Sequence, residues 1–104
     1  MEIRQLEYFK EIADTGSINE AARRLNMSQP PLSSQLRRLE DELNVRLFER
    51  TKKGVSLTEA GKLLYTHAER ILDYTRSAAI EVSNAEKRQI LRLGLTPTTV
   101  TVLM

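Results

Sequence analysis

The chain has 104 residues, enough for one small domain or part of a larger protein. Its 40% apolar and 29% charged residues, with only 4 Gly and 3 Pro, exclude a disordered tail or a fibrous repeat. No apolar stretch reaches the ~18 to 20 residues of a membrane span, and the opening Met-Glu-Ile-Arg-Gln lacks the apolar core of a signal peptide, so a cytoplasmic protein without membrane contact is expected. The absence of Cys excludes disulfides, thiolate zinc sites and a cysteine nucleophile, and the single His67 leaves little for imidazole chemistry. No enzyme, metal or cofactor is expected.

The formal net charge of +2 conceals an asymmetry. From Arg23 to Lys53 eight basic residues face four acidic ones, whereas the remainder carries eight basic and ten acidic. A module with one polyanion-binding face would show such a distribution, although charge runs also simply solvate a surface.

Ile3, Leu6, Phe9, Ile12 and Ala13 recur at steps that share one helical face, which predicts a helix from Ile3 to Asp14 ended by Gly16. Ser17 and Glu20 have the spacing of a capping box, in which the hydroxyl accepts from the Glu20 amide and the carboxylate reaches back to the Ser17 N–H. They open a short second helix over Ile18 to Leu25, with Ile18, Ala21, Ala22 and Leu25 inward, stopped at Asn26-Met27. Ser28 is positioned to cap a third helix running to Leu43, with Pro30 and Pro31 in its first turn, where missing N–H groups cost nothing. Leu32, Leu36, Leu39 and Leu43 form its inner stripe. Gln29, Ser33, Ser34, Gln35, Arg37 and Arg38 are left pointing outward, a polar face that folding does not explain.

From Val45 the period changes. Leu47 to Thr51 and Val55 to Leu57 flank Lys52-Lys53-Gly54, predicting a two-stranded ribbon with a basic tip and a positive φ at Gly54. Thr58 then caps a helix without Pro to about Arg88, roughly 45 Å at 1.5 Å per residue, with Glu59 near its positive end. Along it Leu64, Ala68, Ile71, Thr75, Ala78, Val82 and Ala85 form a heptad stripe of mostly small members. Its Leu63 to Ile71 end is expected to pack on the chain's own helices. The stripe as a whole, Leu64, Ala68, Ile71, Ala78, Val82 and Ala85, is the candidate dimer seam. His67, beside Ala68, is read as a packed interface residue. Ile90 to Leu95 alternates like one strand, followed by a turn and a helix start after Pro97, which predicts entry into a second domain over 89–104.

The predicted fold class is therefore mainly α: a winged helix-turn-helix over 1–58 with a two-stranded β wing, followed by a long dimerisation helix over 59–88. The DNA major groove admits one helix, Gln, Ser and Arg side chains can hydrogen-bond base edges, and a basic ribbon tip can reach the backbone or the adjacent minor groove. A protein-interaction module with a basic docking face would account for the long helix but not for the Ser/Gln-rich face or the wing. A winged domain from a metal-oxyanion-responsive regulator would differ only in a C-terminal part.

The blocks Leu6-Glu7-Tyr8-Phe9, Gly16 to Leu25, Ser28-Gln29-Pro30-Pro31-Leu32-Ser33, Leu39-Glu40, Leu43, Leu47-Phe48-Glu49-Arg50 and Leu57-Thr58-Glu59-Ala60-Gly61 occur in order without gaps. They resemble the DNA-binding domain of LysR-type transcriptional regulators. The resemblance implies a bacterial regulator that binds double-stranded operator DNA as a homodimer paired through its linker helix. In the full-length protein it further implies a C-terminal domain that senses a small-molecule co-inducer, and it leaves dimer and tetramer both open.

Carried over by position, Gln29, Pro30 and Ser33 fall where the family meets bases or the adjacent sugar-phosphate, and Lys53 falls where the wing enters the minor groove. Arg37, Arg38 and Arg50 fall at phosphate-contacting positions, with Ser28, Pro31, Ser34 and Lys52 completing the candidate DNA-binding set. Arg23 and Arg24 are weaker candidates. Many members carry Arg where this chain has Ser34, so a long cationic reader is replaced by a short hydroxyl and no operator sequence carries over. Thr96, Thr98 and Thr99 fall where the family's effector cleft takes hydrogen-bond donors.

Overall fold

A computed structural model describes the backbone of residues 1–92 and the side chains of residues 1–86. In chain order the elements are α1 (Ile3–Thr15), α2 (Ile18–Arg24), α3 (Gln29–Leu43), β1 (Phe48–Thr51), β2 (Gly54–Leu57) and α4 (Glu59–Arg92). The strands pair antiparallel with Phe48 opposite Leu57 and Thr51 opposite Gly54, leaving Lys52-Lys53 as a two-residue turn.

Helix α1 ends where Gly16 takes the left-handed conformation, φ 71°, and returns its N–H to the Ile12 carbonyl at 2.8 Å. The capping box at α2 is half formed. Ser17 Oγ accepts from the Glu20 amide at 3.1 Å, but the Glu20 carboxylate turns to Arg23 and Arg24, and the Ser17 N–H goes to Thr15 Oγ1. Two basic side chains within one helical turn outcompete a single amide for that carboxylate. Asn26 bends the chain between α2 and α3 at φ 56°, a conformation that Asn tolerates better than most residues.

Leu6, Phe9 and Ile12 of α1, Ala21 and Ala22 of α2, Leu32, Leu36 and Leu39 of α3, and Leu47 and Phe48 at the wing form one core. Phe9 and Phe48 meet at a ring-centroid distance of 5.3 Å. Ala21 is fully buried, so α2 lies close against its neighbours, as a small side chain permits. Gln35, expected to face outward, is half-buried and accepts a 3.4 Å hydrogen bond from the buried Gln5 amide. A buried amide requires a partner, and α3 supplies one.

The chain divides into compact units, Met1–Leu72 and from Asp73 onward. In the first, Leu64, Ala68 and Leu72 of α4 are buried in the core described above, with Ile71 packed at its edge. Leu64 and Ala68, expected at a dimer seam, are therefore covered by their own chain. Leu63, expected to pack inward, is 64% exposed.

Thr58 caps α4 as expected, accepting the Gly61 N–H at 3.0 Å while donating its hydroxyl proton to the Arg46 carbonyl. Gly61 is required by space, since a Cβ there would lie 2.2 Å from the Leu47 carbonyl oxygen. Tyr65 donates to Asp14, which also accepts from Lys10 at 2.8 Å, and the Lys10 ammonium sits 5.5 Å from the Tyr65 ring centroid. This brace ties α4 to the end of α1. Burial pushes the Asp14 carboxyl up, but the hydrogen bonds from Lys10 and Tyr65 outweigh it and hold the group below its ordinary value. The same bonds to Asp14 raise Lys10 and Tyr65.

In the second unit, Tyr74, Ile80 and Val82 are 75%, 61% and 73% exposed, and Ala78 is half-buried. The helix continues to Arg92 and takes in Ile90, Leu91 and Arg92, where alternation predicted a strand. No Gly or Pro interrupts the chain between Gly61 and Gly94, and a lone strand would leave unpaired the backbone groups that a helix satisfies internally. The expected strand residues from Leu93 and the candidate effector residues Thr96, Thr98 and Thr99 lie outside the described residues. His67 is exposed on α4.

Candidate nucleic-acid interface

The site is built on α3. Leu32 and Leu39 are fully buried, which turns the opposite face outward. Ser28, Pro30, Pro31, Ser34, Arg37 and Arg38 are exposed, and Gln29 and Ser33 are half-buried at the first turn. Ser28 occupies the N-cap with extended backbone, but its side chain makes no cap hydrogen bond, contrary to the expected cap. The Pro residues in the first turn leave fewer N–H groups to be capped. Within that turn Gln29 Nε2 donates to Ser33 Oγ.

The loop from α3 to the wing is held by Glu40, whose carboxylate accepts the Leu47 N–H at 2.7 Å. Asn44 supports it with a left-handed C-cap at φ 57°. The wing is fixed from the other side. Val55 N–H donates to the Gly16 carbonyl at 3.0 Å, and a Cβ on Gly54, φ 150°, would fall 2.1 Å from that same oxygen. Close backbone approach, beyond the turn itself, is what requires Gly54. Lys52 and Lys53 are exposed at the tip, and Arg50 is exposed on β1.

An open groove of about 620 Å³ lies between α3 and the wing, lined by Ser33, Arg37, Glu40 and Asp41 of α3 and by Arg46, Glu49 and Arg50 toward the wing. Arg46 was absent from the sequence-derived set. It precedes the strand and belongs to no periodic pattern, so only its basic character pointed to it.

Pairing sorts the cations. Arg23 is bound to Glu20, and Arg24 lies 3.7 Å from Glu11 and 3.6 Å from Glu20. Arg37, Arg38, Arg46, Arg50, Lys52 and Lys53 form no ion pair among the described residues. The cations of α3 and the wing are thus free of ion pairs, while those of α2 are held by neighbouring carboxylates. Among the described residues no helix is long and apolar enough to cross a membrane.

Comparison with known proteins agrees with this architecture. The model of the bacterial regulatory helix-turn-helix proteins of the lysR family matches residues 3–62. The nitrogen assimilation regulatory protein nac of Klebsiella aerogenes is 46% identical over 101 residues, 95% of this chain and 33% of that protein. The transcriptional regulator ClcR of Pseudomonas putida is 46% identical over 90 residues, 86% of this chain and 31% of that protein. Among solved structures, the CbnR DNA-binding domain in complex with DNA superimposes with a TM-score of 0.79 at 41% identity, covering 83% of this chain and 99% of that one. The BenM DNA-binding domain with catB site 1 DNA gives 0.80 at 34% identity, covering 83% of this chain and 97% of that one. The chain spans about a third of the length of the curated relatives it matches. A winged helix-turn-helix with this core, these relatives and a family match over residues 3–62 belongs to the LysR family of bacterial regulatory helix-turn-helix proteins.

Proposed function

We propose that this chain binds operator DNA as a homodimer and is the reading end of a transcriptional regulator. The observation that carries the reading is the set of cations without ion pairs on α3 and the wing, set around the exposed polar first turn of α3. The first turn enters the major groove, where Gln29 meets base edges and Pro30, Ser33 and Ser34 meet the bases or the adjoining sugar-phosphate. Arg37, Arg38, Arg46 and Arg50 neutralise phosphates on either side of the groove between α3 and the wing, and Lys52 and Lys53 carry the wing tip to the minor groove. The similar CbnR and BenM domains solved with DNA support this reading.

The homodimer forms through α4 beyond Leu72, where Ala78, Val82 and Ala85 remain from the heptad stripe and Tyr74 adds exposed apolar surface on the same face. The curated relatives are about three times the length of this chain, which supports a further domain in the whole protein. That domain senses a small molecule, and dimers join into tetramers. The whole protein acts in the bacterial cytoplasm, associated with the nucleoid through its DNA.

The test is fluorescence anisotropy with duplexes enriched from a randomised library, over a salt series. A steep fall of log affinity with log salt, together with preference for the enriched duplex over a scrambled one, supports the reading. A slope near zero, or no enrichment, overturns it in favour of a protein-interaction module.

A further inference from the structure

Gln29 is the first residue of α3 and Ser33 lies one helical turn later, so their side chains share a face. The Gln29 amide Nε2 donates to Ser33 Oγ at 2.5 Å, and this is the one side-chain hydrogen bond of either residue among the described residues. Ser28, at the N-cap, makes no side-chain cap. Ser33 also departs from usual behaviour, since a serine within a helix commonly bonds back to the carbonyl four residues earlier, whereas here its oxygen takes the amide of that residue's side chain.

A free glutamine must surrender several rotamers to present its amide to a base. One already pinned has surrendered them before DNA arrives. With one N–H committed to Ser33, the amide keeps its carbonyl oxygen and its second N–H, the adjacent acceptor and donor needed for a two-pronged contact with a base edge.

We propose that Ser33 is a positioning residue, which sets base preference by holding the Gln29 amide rather than by reading a base of its own. The pair is one reader. This rests on the DNA-binding function proposed above and changes how Ser33 takes part in it.

The test uses the wild-type chain, a duplex it enriches from a randomised library, and that duplex with each base pair replaced in turn. Affinities are compared for the wild type, Gln29→Ala, Ser33→Ala, the double variant and Ser33→Thr, each checked for an unchanged melting temperature. Gln29→Ala and Ser33→Ala are expected to lose discrimination at the same base pair, by about 5- to 150-fold. The double variant should lose no more than either single to within about a factor of two, and Ser33→Thr, which keeps the hydroxyl, should retain the preference. Losses that multiply, losses at different base pairs, a Ser33→Ala protein that discriminates like the wild type, or a threonine that restores nothing would each overturn the proposal. A wild type that enriches no sequence overturns DNA reading itself, a result distinct from a wild type that discriminates through independent residues.

Discussion

The Gly16 carbonyl accepts the Val55 amide at 3.0 Å, so the turn that separates α1 from α2 also carries the second strand of the wing. Gly54 passes so close to that oxygen that a methyl group would lie 2.1 Å from it. Gly54→Ala should therefore displace the wing and destabilise the fold by about 2 to 3 kcal/mol. DNA affinity should fall further than stability alone accounts for, because Lys52 and Lys53 move with the ribbon. Urea denaturation together with anisotropy checks this, and a variant of wild-type stability would mean that the turn yields freely.

The contrast between paired and unpaired cations predicts which substitutions change salt dependence. Arg50→Ala and Lys53→Ala should each flatten the slope of log affinity against log salt by about 0.9. Arg23→Ala, which removes a side chain already bound to Glu20, should leave the slope nearly unchanged. An anisotropy series from low to moderate salt distinguishes the two groups. An equal change for Arg23→Ala would place α2 against the backbone as well.

The Tyr65 brace predicts a pH dependence with a definite sign. Asp14 is held below its ordinary 3.8, so its contribution is present above that pH and lost as pH falls through the lowered value. Lys10 and Tyr65 are held above 10.5 and 10.0, so theirs is present below those values and lost as pH rises through the raised ones. Tyr65→Phe should cost about 1 kcal/mol or less, given the exposure of the cluster. The difference from wild type should be level between about pH 5 and pH 9 and shrink in acid. Urea midpoints for both proteins from about pH 3 to pH 9 measure it, and a difference that grew toward pH 3 would contradict the assignment.

Ala78→Glu places a carboxylate on α4 in the unit beyond Leu72, where Val82 and Tyr74 are exposed in the single chain. In a dimer paired through this helix the charge meets its partner, costing several kcal/mol if left without a counterion. The variant should scatter light as a monomer and bind the two-half-site duplex far more weakly, while its winged domain stays folded. A wild type that is itself monomeric, or a variant that remains dimeric, would place the seam elsewhere.

Much of this organisation was legible because burial selects residue types at helical spacing. The leucine stripe of α3, the alanine pair of α2, Gly16 and the Lys52-Lys53 tip all lie where their spacing put them. The stripe of α4 was ambiguous for the same reason. Leu64 and Ala68 look alike in sequence whether they face their own core or a second chain, and only the fold assigns them inward. Contacts between distant segments leave no local trace. Nothing near Glu40 signals that it takes the Leu47 amide, nothing near Gln35 signals that Gln5 needs it, and nothing near Arg46 marks the edge of a groove.

Leu32, Leu36 and Leu39 bear on how such a protein changes its targets. Buried in one core with α1 and α2, they give α3 a single rotational setting, so the helix cannot roll to offer other side chains. A descendant that came to seek a different sequence would have to do so by replacing outward residues such as Gln29 and Ser34, leaving the seat untouched. Divergence of target can thus proceed one exposed side chain at a time, with each intermediate still folded.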